Sequence, residues 1–258
     1  MSATVETVRV DDIPVLIARS DSVASSGRVA LWMHFLGGTK EMMTPFLARL
    51  AEAGVTAVSF DAWQHGERTE ESSDQLMTRA FTQFRRSVWP ILGHTTLDAV
   101  RVLDWTVERF SPEQVVVGGV SMGGDIAVAV AGIDDRIGRV AAMIATPDWT
   151  RPGMRMLADP ATVIDQGEST PYGQWMFDHL NPMTHLDFFA RAPAIAFDLG
   201  ENDLHIPADN AVAFRTALAR EYPAAADQVQ IHIHAGLDHL GAGRDPRVED
   251  ACLDWLLG

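Results

Sequence analysis

The sequence predicts an α/β fold built on a doubly wound, mostly parallel sheet, and three observations carry that prediction. Short β-branched runs such as Val115-Val116-Val117 read as strands buried on both faces. Segments with apolar residues at helical spacing lie between such runs, and the two patterns alternate along most of the chain. At 258 residues the chain can bury one sizeable core, so a single domain over 1–258 is expected.

Taken in order, "TVETVRVDDIPVLIARS" reads as an antiparallel hairpin turning near Asp11-Asp12. "RVALWMHF" is a buried strand, "KEMMTPFLARLAEAG" an amphipathic helix stopped by Gly54, and "VTAVSFD" the next strand; a right-handed crossover makes the two strands parallel. From Ala62 to His94 the chain reads as polar and irregular, with "ERTEESSDQ" as a solvated loop, before "LDAVRVLDWTVERF" resumes helical spacing. "EQVVVGG" and "RVAAMIAT" are further buried strands. Residues 147–193 break the alternation and are rich in Trp, Met and Phe, which reads as an inserted lid. The strand "AIAFDLG", the helix "ADNAVAFRTALAREY", the strand "QVQIHIHA" and the helix "PRVEDACLDWLL" complete the pattern.

Composition excludes several function classes. A formal charge of -15 and a pI near 4.8 repel nucleic acid and anionic membrane surfaces, so neither is expected as a partner. Cys252 is the single cysteine; no internal disulfide can form, and its place on the apolar face of the last helix reads as a core thiol. Charges throughout the first thirty residues leave neither a signal peptide nor a membrane span visible, and a cytoplasmic location is expected. The sequence leaves oligomeric state open.

Chemistry concentrates in the loops that follow strands, where open α/β sheets bind their ligands. "VVVGGVSMGGDIAVAVA" turns from strand to helix through Gly119-Val120-Ser121-Met122-Gly123, a GxSxG turn with serine at its apex. Gly119 and Gly123 remove side chains where strand and helix pass closely, and the helix N-terminus points free N–H groups at the site, the N–H of Met122 among them. Asp203 in "GENDLHIP" and His239 in "GLDHLG" follow two later strands and so share that sheet edge. Asp198 and Asp238 compete with Asp203, and His232 and His234 with His239. The His232/His234 pair would mark a metal site only with further ligands; none stands at metal spacing, so both read as buried, hydrogen-bonded histidines and no metal is expected. His34 and His65 read as loop braces, and Asp61 as the group that holds the loop after its strand.

With "HFLGG", "DAWQHGER", "GVSMGG", "GENDLHIP" and "LDHL" in this order, the chain resembles the α/β-hydrolase fold from roughly Arg28 to Gly258. Within it, the chain resembles bacterial serine esterases near the dienelactone-hydrolase and prolyl-oligopeptidase-like groups. The chain order Ser, Asp, His is that of the fold's triad. The resemblance implies Ser121 as nucleophile, His239 as base, Asp203 as its orienting acid and no cofactor. It implies a second oxyanion donor at the N–H of Leu36, although Phe35 stands where the family usually has glycine, and Gly37 and Gly38 could shift the donor along. Dienelactone hydrolases proper carry cysteine at the position of Ser121.

These readings lead to a carboxylesterase for small or medium, partly apolar ester substrates, with Trp149 and Trp175 of the lid and Trp63 beside His65 as substrate-binding residues. Lactonase, thioesterase, peptidase and carbon–carbon-bond hydrolase chemistry share the same machinery, and a non-catalytic ligand receptor on this fold is the rival of another class.

Overall fold

The computed structural model describes residues 3–258; residues 1 and 2 of the expected domain lie outside the described residues. Two strands, β1 (Ala3–Val10) and β2 (Ile13–Ser20), pair antiparallel across Asp11, whose φ of 53° makes the tight turn. The other strands are β3 (Arg28–Met33), β4 (Thr56–Phe60), β5 (Gln114–Val120), β6 (Ile137–Met143), β7 (Ala194–Gly200) and β8 (Val229–His234). Together they form one 8-stranded sheet in the order β1-β2-β4-β3-β5-β6-β7-β8. β2 meets β4 antiparallel, and from β4 to β8 every pairing is parallel. The expected α/β-hydrolase architecture with an N-terminal antiparallel hairpin is the one observed.

The period-2 alternation of strand side chains builds a core on each face. Val29, Leu31 and Met33 of β3 and Val115 and Val117 of β5 point to the larger core, whereas Ala30, Trp32 and Val116 point to the smaller one. The smaller core is covered by α1 (Thr44–Glu52) through Phe46, Leu47 and Leu50, and by the last helix through Val248, Cys252 and Leu256. Cys252 is fully buried there, and burial pushes its thiol pKa up, so it stays protonated and inert.

Two stretches differ from the sequence reading. Part of the supposed solvated loop is a helix, α2 (Ser73–Thr82), opened by a capping box in which the Ser72 side chain accepts from the Gln75 N–H and Gln75 reaches back to Ser72. The following helix, α3 (Phe84–Phe110), starts well before Leu97 and contains Pro90. Its polar early residues hid the pattern, because burial comes from tertiary packing of Phe84, Val88, Trp89, Ile91 and Leu92 rather than from a clean amphipathic stripe. After α4 (Met122–Ile133) and β6, residues 147–193 do interrupt the alternation. They carry α5 (Pro171–Leu180), which lies so close to α3 that a Cβ on Gly93 would sit 2.6 Å from Met176 Sδ. Helix α6 (Asp209–Glu221), the short α7 (Pro223–Asp227) and α8 (His239–Ala242), and α9 (Pro246–Leu257) finish the chain. No helix among the described residues is long and apolar enough to cross a membrane.

Candidate active site

Ser121 sits between the end of β5 and the start of α4 with φ 53° and ψ -115°, a backbone conformation that few non-glycine residues adopt. The turn is enforced from both sides. Its N–H donates to the Met143 carbonyl at 2.8 Å, and its own carbonyl accepts from Gly124 and Asp125 at 2.9 and 3.0 Å. A Cβ on Gly123 would lie 2.2 Å from the Met33 carbonyl oxygen, and one on Gly119 would lie 2.5 Å from the Gly123 carbonyl carbon. The glycines therefore let β5, β3 and α4 touch backbone to backbone, which lifts the serine to the sheet edge.

At that edge Ser121 Oγ lies 3.3 Å from His239 Nε2, and His239 Nδ1 donates to Asp203 Oδ2 at 2.7 Å. Asp203 Oδ1 is held by the N–H groups of His205 and Ile206 at 2.9 and 2.7 Å, so both carboxylate oxygens are occupied and the group is fixed. All three side chains are buried. Of the competing acids, Asp198 instead accepts from His232 Nδ1 and His234 Nε2, and Asp238 caps α8 by accepting from the Gly241 N–H. His232 and His234 are hydrogen-bonded as expected, but they are partly exposed rather than buried. Among the described residues no cluster could hold a metal ion.

The backbone N–H groups of Met122 and Leu36 find no acceptor among the described residues, and Leu36 and Ser121 line the same hollow. The Leu36 loop is braced from below. His34 donates from Nδ1 to the Phe35 carbonyl and accepts at Nε2 from the Ala62 N–H, a neutral tautomer that burial favours by pushing its pKa down. Asp61 anchors the same region, binding the Lys40 ammonium at 2.9 Å and the N–H groups of Lys40 and Glu67. Burial opposes that carboxylate, yet the Lys40 hydrogen bond and these N–H donors hold its pKa below the usual range. His65 donates to the Trp63 carbonyl from Nδ1.

The hollow at Ser121 measures about 310 Å³ and has apolar walls from Phe35, Leu36, Met77, Phe81, Ile144 and Leu157. The three tryptophans expected to bind substrate do not line it. Trp149 is fully buried and donates its backbone N–H to Asn181 Oδ1, so it belongs to the core. Trp175 is half-exposed and stacks on His179, and Trp63 stacks on His94. Within the 147–193 segment α5 packs against α3, and only Arg151 and Leu157 reach the hollow. Met77 and Phe81 stand one turn apart on α2, so the Ser72…Gln75 capping signature was the signal that would have revealed this wall.

Arg151 was not singled out by the sequence either. Its guanidinium pairs with Asp125, which is fully buried beneath the elbow and accepts the Thr146 N–H at 2.7 Å. His205, two residues after Asp203, packs edge-on against His239 with ring centres 4.8 Å apart.

A strained serine held by a strand-to-helix turn, bonded to a histidine that is bonded to a fixed aspartate, defines a serine hydrolase of the α/β-hydrolase fold. The chain belongs to the prolyl oligopeptidase family, whose profile matches residues 82–257. No curated protein sequence matches it. Among solved structures, TT1662 from Thermus thermophilus is 22% identical with a TM-score of 0.73, covering 100% of this chain and 99% of the other. Est1E from Butyrivibrio proteoclasticus, solved with ferulic acid bound, is 16% identical with a TM-score of 0.67, covering 98% of each chain. The Pyrococcus furiosus esterase Pf2001 is 14% identical with a TM-score of 0.65, covering 98% of this chain and 91% of the other.

Proposed function

We propose that this protein is a carboxylesterase that cleaves small to medium, partly apolar esters through an acyl-enzyme, without a cofactor. The observation that carries the reading is the hydrogen-bonded run Ser121–His239–Asp203 opening into an apolar hollow of about 310 Å³. In the mechanism, Ser121 Oγ attacks the carbonyl carbon as its proton passes to His239 Nε2, and Asp203 stabilises the imidazolium. The carbonyl oxygen gains negative charge in the transition state, and the unpaired N–H groups of Met122 and Leu36 are its donors; one such donor is worth about 3 kcal/mol. His239 then protonates the leaving oxygen, and the same base activates water to release the acid.

The family match favours a second reading, peptide or amide hydrolysis by the same groups. Matched short-chain aryl esters and anilides separate the two. The expected result is rapid ester turnover with little anilide cleavage, together with covalent labelling of Ser121 by a fluorophosphonate that Ser121→Ala abolishes. Preferred anilide cleavage moves the assignment to a peptidase. Label on another residue, or a folded wild type that neither reacts nor turns over, removes the catalytic reading and leaves a ligand receptor.

A further inference from the structure

The mechanism leaves His205 of the hollow unused. His205 is 5% exposed, and its ring lines both the hollow at Ser121 and a second one of about 250 Å³ bounded by Met156, Leu204, Asn202 and Asp238. Its Nδ1 lies 2.7 Å from the Arg155 carbonyl oxygen. A carbonyl can only accept, so Nδ1 carries the proton and the lone pair is on Nε2. That Nε2 has no partner among the described residues. Burial, then the neighbouring His239 and Arg151, push the His205 pKa to about 3, so the ring stays a neutral acceptor wherever the enzyme works.

Arg151 faces the same hollow. One of its terminal nitrogens is taken by Asp125, while its Nε is buried with no acceptor among the described residues. Arg244 at the rim is exposed, and its side chain has no partner among the described residues. An acceptor and a cationic donor thus stand beside the nucleophile with no carboxylate in the lining. The two arginines repel a cationic group, and a purely apolar one leaves His205 Nε2 desolvated without a partner. A neutral group that donates a hydrogen bond satisfies His205 Nε2.

We propose that His205 Nε2 is a specificity-determining acceptor, and that the preferred acyl groups carry a neutral hydrogen-bond donor near the carbonyl, either a hydroxyl or an amide N–H. This rests on the reading of Ser121 as the nucleophile. Recognition of this kind discriminates strongly, because a substrate without the donor leaves buried polar groups unpaired.

The test uses three esters with one common aryl leaving group: butanoate, 3-hydroxybutanoate and N-formylglycinate. The wild-type kcat/KM for at least one polar ester is expected to exceed that for butanoate by about tenfold, and whichever ester shows it tells hydroxyl from amide. His205→Asn keeps a donor for the Arg155 carbonyl but loses the acceptor, and the preference is expected to fall to about twofold or less. His205→Gln, whose oxygen reaches the Nε2 position, is expected to restore part of it. Fluorophosphonate titration counts working Ser121 sites in every variant. Wild type that fails to label overturns the serine-hydrolase reading itself. Wild type that labels and turns over without a polar preference, or a preference that survives in His205→Asn, overturns the role of His205. Should His205→Asn not fold, a His205→Gln enzyme that has lost the preference entirely also overturns it.

Discussion

Mild acid should destabilise this protein, because it buries histidines in neutral form. Burial, then the neighbouring His34 ring, lower the His65 pKa to about 3, and burial, then His239 and Arg151, do the same for His205. An unfolded histidine titrates near 6.5, so as pH falls through that value the unfolded chain takes up two protons that the folded chain refuses. The stabilisation is therefore complete above about pH 6.5 and drains away as pH drops toward 3. Between pH 6.5 and 4.5 each group costs about 2 kcal/mol, about 4 kcal/mol for the pair, a large share of a typical domain's 5–15 kcal/mol. Urea melts at half-unit pH steps over this range measure it. His65→Asn, which can still donate to the Trp63 carbonyl, should lower the pH-dependent loss by about half while shifting the curve at pH 7 only by a constant. A stability that stays flat from pH 6.5 to 4.5, or a loss in His65→Asn equal to that of the wild type, refutes the argument.

Two pairs of substitutions probe the site more directly. Asp203→Asn should lower ester turnover by about 10⁴, as loss of the orienting acid does in serine proteases, whereas Asp198→Asn, whose side chain bonds His232, His234 and Cys252, should stay within about tenfold. Equal losses from the two would show that the acid has been misassigned. Gly123→Ala drives a Cβ into the Met33 carbonyl oxygen at 2.2 Å and should abolish fluorophosphonate labelling and lower the melting temperature, whereas Gly138→Ala, with nothing within 4 Å, should do neither; an alanine at 123 that labels normally contradicts the close packing of the elbow.

The sequence by itself determined the fold and the order of the site. Alternating buried strands and amphipathic helices can be read locally, since period 2 and period 3.6 are properties of the backbone. "AIAFDLG" and "PRVEDACLDWLL" coincide with β7 and α9 residue for residue. The Ser121, Asp203 and His239 loops could be read because parallel strands deliver their carboxyl ends to one edge, and the glycines at 119 and 123 because backbone contact admits no side chain.

Only the tertiary structure decided which side chains share the hollow. Trp149, expected to bind substrate, is core, because an apolar residue far from its neighbours in sequence does not reveal whether it faces a cavity or a helix. Met77 and Phe81 lay in a stretch whose exposed polar residues masked a helix. That Asp203 rather than Asp198 or Asp238 bonds His239 depends on a contact of a few ångströms between loops 36 residues apart in the chain. Those distances are set by how the sheet twists and its crossovers pack, and hydrophobic periodicity carries no record of them.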